Sequence, residues 1–481
     1  MPQIFYVGKP AKQPANEIKG KENAVEEVTL RERATADFNN VVEFLKGLVR
    51  IPAVSSLPKH ASDMQASAEY IVKNLEAAGA TARIVTVTDS KTGLVSRPAI
   101  LAEKSGPAGA PTVLLYAHHD VQPTGDLDKW DSDPFEPVGR DGRLYGRGAS
   151  DDGAGVATHL GMLRAWGDEL PVNVKIFIEG EEEVGSPTFT AFLEQNREFL
   201  QADVIIVTDS GNWDVHQPAL TTGLRGVLSV DVSVKTLDHA VHSGAFGGVT
   251  VDALTCLCRL IATLHDHKGS VAVPGLVTNT VADVDYPEDD LRKQMGAVAG
   301  LKLTGIGDLA SRLWTQPAIS VIGIDAPSVA ASSNTIIPQA KARISMRIAP
   351  GQDPQKAAQA LSDYLVANAP FGAEVSVECL EAGPAYAANL DSPVLALMHG
   401  ALTDAFGVKS VNIGQGGSIP FIATFQEFFP AAEVLVTGVE DPYTNAHSEN
   451  ESQDLADLQG AVLAETLLLG RLANGSATAL N

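Results

Sequence analysis

Side chains that could perform chemistry follow several short apolar runs of the sequence. His118 and Asp120 end the segment LLYAHHD, so an imidazole and a carboxylate come at the end of a predicted strand. A histidine there can bind a metal ion while a nearby carboxylate orients its ring. The alternative is an ordinary hydrogen-bonded histidine, the more common role of a lone histidine. His119 points to the opposite side of an extended backbone, and we assign it no role.

Two adjacent carboxylates, Asp151 and Asp152, occur in the glycine-rich segment LYGRGASDDGAG. At a predicted strand-to-helix junction they repel each other, and the helix N-terminus offers only a partial positive charge in compensation. A divalent ion would resolve this repulsion, although either aspartate could instead cap the helix. A phosphate-binding loop is disfavoured because the carboxylates would repel a phosphate from the backbone amides.

Further acidic groups and a second imidazole complete the set of candidates. Glu181, Glu182 and Glu183 follow the apolar segment VKIFIEG, Asp209 follows VIIVT, and His447 lies in TNAHSENE. Three consecutive glutamates are typical of a solvated loop, which is the alternative. A glutamate that binds a metal ion, next to a glutamate that does not, suits metal-assisted hydrolysis, because the free carboxylate can take a proton from water. Together these groups suit two neighbouring divalent ions that share a bridging carboxylate.

The elements around these residues predict an α/β fold. Apolar strands at 112–117, 172–178 and 204–207 alternate with helices, which indicates a mostly parallel sheet covered by helices on both faces. Ligands bind beyond the carboxyl ends of such strands, which is where the candidate residues occur. From about residue 218 the order becomes strand, helix, strands, helix, strand, which predicts an inserted α+β unit.

These patterns divide the chain into four predicted segments. Residues 1–37 are expected to form an N-terminal arm; its part from 9 to 35 has little apolar periodicity, which indicates an arm or a poorly ordered lead-in. Residues 38–217 form the first part of the larger domain, 218–390 the inserted unit, and 391–481 the second part, which ends in a helix over 452–472.

Composition narrows the class of protein. The 481 residues, with 44% hydrophobic and 20% charged, are typical of a globular chain of two or three domains. The formal net charge of −24 disfavours nucleic acid or an anionic membrane as a partner. No apolar run is long enough to cross a bilayer, and the N-terminus lacks a hydrophobic signal core. Three cysteines form no paired framework, so a cytoplasmic location is expected, with Cys258 buried rather than binding a metal with Cys256.

The motifs together resemble a known family. In chain order they are YAHHDVQP, LYGRGASDDGAG, EGEEEVGS, VTDS, VHSGAFGG, NTIIP, SMRIAP, GQGGSIP and NAHSENE. This series resembles the M20 metallopeptidases, and most of all their carnosinase-like dipeptidases, over residues 40–475. The resemblance implies a catalytic domain with an inserted lid domain that forms a homodimer. It implies hydrolysis of dipeptides or short peptides with a free C-terminal carboxylate; the alternative is an N-acyl-amino-acid amidohydrolase with the same metal centre.

The resemblance also implies a role for each candidate. Two divalent ions, zinc or manganese, would be held by two sets of ligands that share Asp151 as a bridge: His118, Asp151 and Asp209 for one ion, and Asp151, Glu183 and His447 for the other. Glu182 would be the general base for the bridging water and would pass its proton to the leaving amine. Asp120 would orient His118, and the peptide bond between Asp151 and Asp152 would be cis. Glu181 adds a third carboxylate to the usual pair.

Substrate-binding residues are implied in the same way. His242 would reach across the dimer to polarise the carbonyl oxygen of the bond that is cut; the alternative is a turn histidine. Arg347 would clamp the terminal carboxylate of the substrate, which suits the paired donors of a guanidinium, whereas the alternative is an arginine on a surface strand. Thr335, Gly417 and Ser418 would add hydrogen bonds to that carboxylate.

Overall fold

The computed structural model describes residues 15–279, 282–417 and 420–479. Helices and strands alternate over most of this length. The helices are α1 (Ala15–Val49), α2 (Ala61–Ala77), α3 (Gly153–Trp166), α4 (Phe189–Gln195), α5 (Arg197–Leu200), α6 (Ser243–Phe246), α7 (Ala253–Ala262), α8 (Glu288–Gln294), α9 (Leu309–Trp314), α10 (Pro354–Ala367), α11 (Pro393–Phe406), α12 (Pro420–Phe428) and α13 (Leu455–Ala479). The strands are β1 (Thr81–Val85), β2 (Ala99–Lys104), β3 (Thr112–His118), β4 (Val138–Arg140), β5 (Arg143–Tyr145), β6 (Asn173–Glu179), β7 (Val204–Val207), β8 (Ala219–Leu224), β9 (Gly226–Lys235), β10 (Val241–His242), β11 (Ala318–Asp325), β12 (Thr335–Ile336), β13 (Gln339–Ile348), β14 (Glu374–Gly383), β15 (Tyr386–Ala387), β16 (Val411–Gln415), β17 (Glu433–Val436) and β18 (Ser452–Asp454).

A central six-stranded sheet has the order β1-β2-β6-β3-β7-β17. Strands β6, β3, β7 and β17 pair in parallel, and β2 is the one strand of this sheet that runs in the opposite direction. Side chains of β3 alternate between two buried clusters: Leu115 faces the side covered by α1, α3 and α13, and Tyr116 faces the side covered by α4 and α12. The predicted mostly parallel sheet covered on both faces is therefore confirmed.

A second, four-stranded antiparallel sheet has the order β11-β13-β9-β14. Helices α7 and α10 pack on it, and residues such as Leu257 and Leu361 share one buried cluster with Val230 of β9. Helix α10 begins after a capping residue, because Asp353 accepts a hydrogen bond from the backbone N–H of Lys356 (2.9 Å), and proline occupies the first helical position. We call this α+β unit the lid.

Three predictions about local structure are wrong. The first concerns the N-terminal arm: its residues from Ala15 onward belong to helix α1, and Leu30 is buried. A sparse apolar stripe suffices for a helix rich in good helix formers. Residues 1–14 lie outside the described part. Ser452–Asp454 is a strand paired with β5, and the last helix begins at Leu455 because Asp454 caps it. Cys256, not Cys258, is the buried cysteine of α7.

Within the residues that the structure describes, no helix combines the length and apolarity that crossing a membrane requires.

Candidate metal centre

The parallel strands bring the candidate residues to one edge of the central sheet. His118 is the last residue of β3, Asp209 lies just beyond β7, and Glu182 and Glu183 lie just beyond β6. Because these three strands are parallel neighbours, their carboxyl ends meet at the same edge. The loop after β17, the next parallel strand, adds His447.

Two groups of potential ligand atoms result, and the atoms of each group lie within 4.8 Å of one another. One group contains His118, Glu182 and Asp209, and the other contains Asp151, Glu183 and His447. We call the six residues together the acidic cluster.

Asp151 lies between the two imidazoles of the acidic cluster. Its Oδ1 is 3.0 Å from Nε2 of His118, and its Oδ2 is 2.8 Å from Nε2 of His447. Each imidazole also faces a second carboxylate, since His118 Nε2 is 4.0 Å from Asp209 Oδ1 and His447 Nε2 is 3.2 Å from Glu183 Oε2. A carboxylate that directs one oxygen to each imidazole has the arrangement of a bridging ligand between two ions.

Asp120 supports both the histidine and the glutamate loop. Nδ1 of His118 is 3.0 Å from the backbone oxygen of Asp120 and 3.5 Å from its carboxylate. The Asp120 carboxylate also accepts hydrogen bonds from the backbone N–H groups of Glu182 (3.2 Å) and Glu183 (3.1 Å). Donation from Nδ1–H leaves Nε2 of His118 free to bind a cation, as in many metal sites.

The two adjacent aspartates have different environments. The peptide bond between Asp151 and Asp152 is cis. Asp152 caps α3 by accepting from the N–H of Gly155 (3.1 Å), and it also accepts from the N–H of His118 (3.1 Å). The helix-cap alternative therefore applies to Asp152, whereas the carboxylate of Asp151 faces the imidazoles.

Two neighbours of the cluster are anchored elsewhere. The buried carboxylate of Glu181 accepts hydrogen bonds from the backbone N–H groups of Arg97 (3.1 Å) and Thr188 (3.0 Å), so it secures the loop. The ring of His119 contacts the hydroxyl of Ser67 (3.0 Å) on the other side of β3. Neither side chain belongs to the acidic cluster.

A buried ion pair behind the cluster was missed by the sequence analysis. Arg147 Nη1 lies 2.6 Å from Glu451 Oε2, and the two side chains are 1% and 0% exposed. Glu451 also accepts from the backbone N–H of Asp151 (3.1 Å), while Arg147 donates to the backbone oxygens of Pro123 (3.2 Å) and Ser448 (3.0 Å). The pair therefore joins the loops that carry His118, Asp151 and His447. Both residues lie inside quoted motifs, but no local spacing predicts that they meet.

The electrostatics of the cluster show an excess of confined negative charge. Burial and the nearby carboxylate of Asp209 raise the pKa of Glu182 to about 9, against the effect of His118. Burial raises the pKa of Asp209 to about 6. Hydrogen bonds to Asp151 and Glu183 raise the pKa of His447 to about 11. Opposite charge stabilises buried carboxylates, so the cluster is suited to cations.

The donor set fits divalent metal ions. Two imidazole nitrogens and several carboxylate oxygens match the ligands that zinc and manganese accept in proteins. The expected ligands His118, Asp151, Asp209, Glu183 and His447 all lie in the acidic cluster. Glu182, expected to be the base, lies there too, within ligand distance of His118 and Asp209.

The expected substrate-binding residues lie in the lid and near β16. His242 and Thr335 are opposite each other in the β10–β12 ladder, and both are exposed. Among the described residues, neither side chain makes a hydrogen bond to the acidic cluster. Arg347 lies near the end of β13, and Gly417 is exposed just after β16. Ser418 lies outside the described residues.

This α/β sheet, with imidazoles and carboxylates at its carboxyl edge and an attached α+β lid, defines a metal-dependent hydrolase. The model of the Peptidase family M20/M25/M40 matches residues 114–469. The chain belongs to this family and is a peptidase.

The chain is similar to known relatives and to solved structures over most of its length. The chain is 33% identical over 443 residues to "Cysteinylglycine-S-conjugate dipeptidase" of Corynebacterium striatum, covering 90% of this chain and 96% of the relative. It is 30% identical over 375 residues to "Beta-Ala-His dipeptidase" of Homo sapiens, covering 74% of this chain and 73% of the relative. The structure of human carnosine dipeptidase 1 has a TM-score of 0.70 at 25% identity, covering 93% of this chain and 99% of that one. The structure of the di-peptidase Dug1p from Saccharomyces cerevisiae, at 24% identity, has a TM-score of 0.69 with 93% and 98% coverage, which supports the same fold.

Proposed function

We propose that the protein is a dipeptidase with two metal ions, which hydrolyses the peptide bond of dipeptides or short peptides with a free C-terminal carboxylate. The observation that carries this proposal is the position of Asp151, with one oxygen toward His118 and the other toward His447. The dipeptidase names of the similar proteins support the substrate class.

Two divalent ions, zinc or manganese, would occupy the acidic cluster. Asp151 would serve both ions, and the remaining ligands would be His118 and Asp209 for one ion, with Glu183 and His447 for the other. When bound, such ions polarise a carbonyl group and lower the pKa of a water molecule. Asp120 would orient His118, supported by the contact of its backbone oxygen with the imidazole.

Glu182 would act as the general base that takes a proton from the attacking water and gives it to the leaving amine. Its carboxylate lies among the ligand groups, and its backbone N–H is held by Asp120. With its pKa raised to about 9, the carboxyl would be protonated at neutral pH. Nearby cations favour the charged form of a carboxylate, so metal loading would convert Glu182 to a base.

Arg347 would hold the substrate's terminal carboxylate, with Thr335, Gly417 and Ser418 as further donors. His242 would polarise the carbonyl of the bond that is cut, and would do so in the partner subunit of a homodimer. The exposure of His242 and its pairing with Thr335 support a role in which both face a substrate together.

The homodimer would form through the lid. Strand β11 is an edge strand of the lid sheet, and it exposes Val321, Ile322 and Ile324. An exposed apolar edge strand is a surface that proteins normally cover. A cytoplasmic location is supported by the three free cysteines.

The substrate assay compares Ala-Ala and β-Ala-His with N-acetyl-alanine on the metal-loaded protein. We expect the two dipeptides to be hydrolysed faster. Faster hydrolysis of N-acetyl-alanine would instead favour the amidohydrolase. Elemental analysis should give two ions per chain, and one or none would contradict the shared-carboxylate arrangement.

A pair of neighbouring glutamate substitutions tests the base. Glu182→Gln should keep two ions per chain and lower kcat by about 10²–10⁴. Glu181→Gln is the matched control, because Glu181 binds backbone N–H groups outside the cluster and should retain activity. Normal turnover by Glu182→Gln would refute its assignment as the base.

A further inference from the structure

Two arginines lie close together where the chain passes from the catalytic sheet region into the lid. Arg225 immediately precedes β9, and residues two apart on an extended chain, such as Arg225 and Val227, share a side. Val227 is directly opposite Arg347 in the β9–β13 ladder, and opposite residues also share a side. The two guanidinium groups therefore belong to one side of the lid sheet.

Arg225 is a largely buried cation without an acidic partner. It is 8% exposed, and among the described residues no carboxylate lies within 4.0 Å of its guanidinium. Its Nε donates to the backbone oxygen of Gly416 (3.2 Å) and its Nη1 to that of Gln316 (3.5 Å), and its other side-chain N–H groups make no hydrogen bond to a residue that the structure describes. Burial and the charge of Arg347 lower the pKa of Arg225 to about 10. A bound anion would compensate the buried charge of Arg225.

Arg225 also lines a cavity of about 700 Å³ in the lid. The described lining includes three more basic side chains, His265, Lys302 and Arg312, and no aspartate or glutamate. This composition stands out in a chain with a net charge of −24. Leucines such as Leu309 complete the wall, so the cavity has room for an aliphatic side chain with a negative end. Arg347 is not among the described residues that line this cavity, so the two arginines have different surroundings although they lie close together.

A short segment links Arg225 in the cavity wall to the loop that carries Asp209. The backbone N–H of Arg225 donates to the oxygen of Gln415 (3.3 Å), and its guanidinium contacts Gly416. The side chain of Gln415 in turn donates to the hydroxyl of Ser210 (2.8 Å), the neighbour of Asp209. The same segment continues to Gly417, which the proposed function assigns to the substrate's terminal carboxylate.

We propose that the cavity lined by Arg225 receives the side chain of the substrate's C-terminal residue and selects dipeptides that end in glutamate or aspartate. This inference rests on the proposed function, since it takes Arg347 as the partner of the terminal carboxylate. Arg225 then pairs with the second carboxylate, that of the side chain. It is a residue for specificity, because it contacts substrate away from the bond that is cut.

The test compares Ala-Glu with Ala-Gln, which have side chains of nearly equal shape and different charge. A hydrogen-bonded charge pair predicts that kcat/KM for Ala-Glu exceeds that for Ala-Gln by about 10- to 100-fold, mainly through KM. In Arg225→Gln the ratio of kcat/KM for Ala-Glu to kcat/KM for Ala-Gln should fall to about one. Arg225→Lys should retain part of the preference.

Arg343→Gln is the control for a general effect of lid charge. Arg343 lies on β13 as Arg347 does, but its guanidinium is bound to Asp231 (2.7 and 2.9 Å), so its substitution should leave the ratio unchanged. Equal kcat/KM for the two peptides in the unmodified enzyme would overturn the inference, as would a preference that survives Arg225→Gln. Hydrolysis of Ala-Gln without a preference refutes this inference alone, whereas hydrolysis of no dipeptide refutes the proposed function and this inference with it.

Discussion

The ion pair of Arg147 and Glu451 gives a prediction that separates fold stability from metal binding. Arg147→Met removes the charge and keeps much of the side-chain volume, but it leaves Glu451 buried without its partner. Because the side chains are 1% and 0% exposed, loss of one partner should lower the free energy of unfolding by about 3–5 kcal/mol. Glu451→Gln should cost a similar amount by leaving Arg147 uncompensated. The double variant should cost less than the sum of the two, because it removes both charges.

Metal affinity should fall in the same variants. Glu451 holds the backbone of Asp151 and Arg147 holds that of Ser448, so either substitution loosens a loop that carries a proposed ligand. Loss of such supporting contacts lowers metal affinity by about 10- to 100-fold. Titration against a chelating dye measures this affinity. Urea unfolding of the metal-free protein, followed by the fluorescence of tryptophans including Trp130 beside Arg147, measures stability separately.

A surface pair provides the matched control. Arg33 and Glu169 have the same 2.6 Å separation, but their side chains are 43% and 70% exposed. Arg33→Met should change the free energy of unfolding by less than about 1 kcal/mol. If Arg147→Met lowers the free energy of unfolding by no more than Arg33→Met does, burial does not determine the strength of the pair between Arg147 and Glu451. Strictly additive effects in the double variant would refute the coupling between Arg147 and Glu451.

Three further predictions concern protons, acid and backbone packing. The pKa of His447 is raised to about 11 in the metal-free protein, and an imidazole that binds a metal must be neutral, so metal binding should release protons and become stronger from pH 6 to 8. Calorimetry in buffers of different ionisation enthalpy measures the number of protons released. Release of no protons would contradict this prediction. Hydrogen bonding chiefly to Arg343 lowers the pKa of Asp231, so its stabilisation is present above the unfolded pKa and is lost as pH falls through the lower folded value. Asp231→Asn should therefore flatten acid unfolding below about pH 4, and an unchanged acid limb would show that the pair contributes nothing. Gly438→Ala should lower metal content, because the added Cβ would clash with the backbone oxygen of Ser210, next to Asp209. Full metal occupancy in this variant would show that the backbone shifts freely.

The edge that carries the acidic cluster could be predicted because its cause is local. Continuous apolar runs define β3, β6 and β7, and each run ends at a polar residue or just before one. Parallel pairing then places His118 and Asp209 together without knowledge of any distant contact. The assignment of individual ligands came from the family resemblance, and the structure groups those residues in one cluster.

The remaining features depend on contacts that no local pattern records. Glu181, Glu182 and Glu183 are chemically identical in the sequence, and only the turn that follows β6 directs Glu181 to Thr188 and the other two to the cluster. Arg147 and Glu451 are 304 positions apart, so their pairing is a property of the folded chain. The part of α1 before Phe38 escaped prediction because its apolar residues are scattered, and packing of residues such as Leu30 against the core stabilises it.

The position of His447 after the lid has a consequence for biosynthesis. A growing chain presents His118, Asp151 and Asp209 long before the ribosome reaches the last proposed ligand. At about 5–20 residues per second, the interval from Asp209 to His447 lasts roughly 10 to 50 s. Nascent chains that end before His447 would lack one of the proposed ligands, so the proposed metal centre could be completed only after that residue has been synthesised.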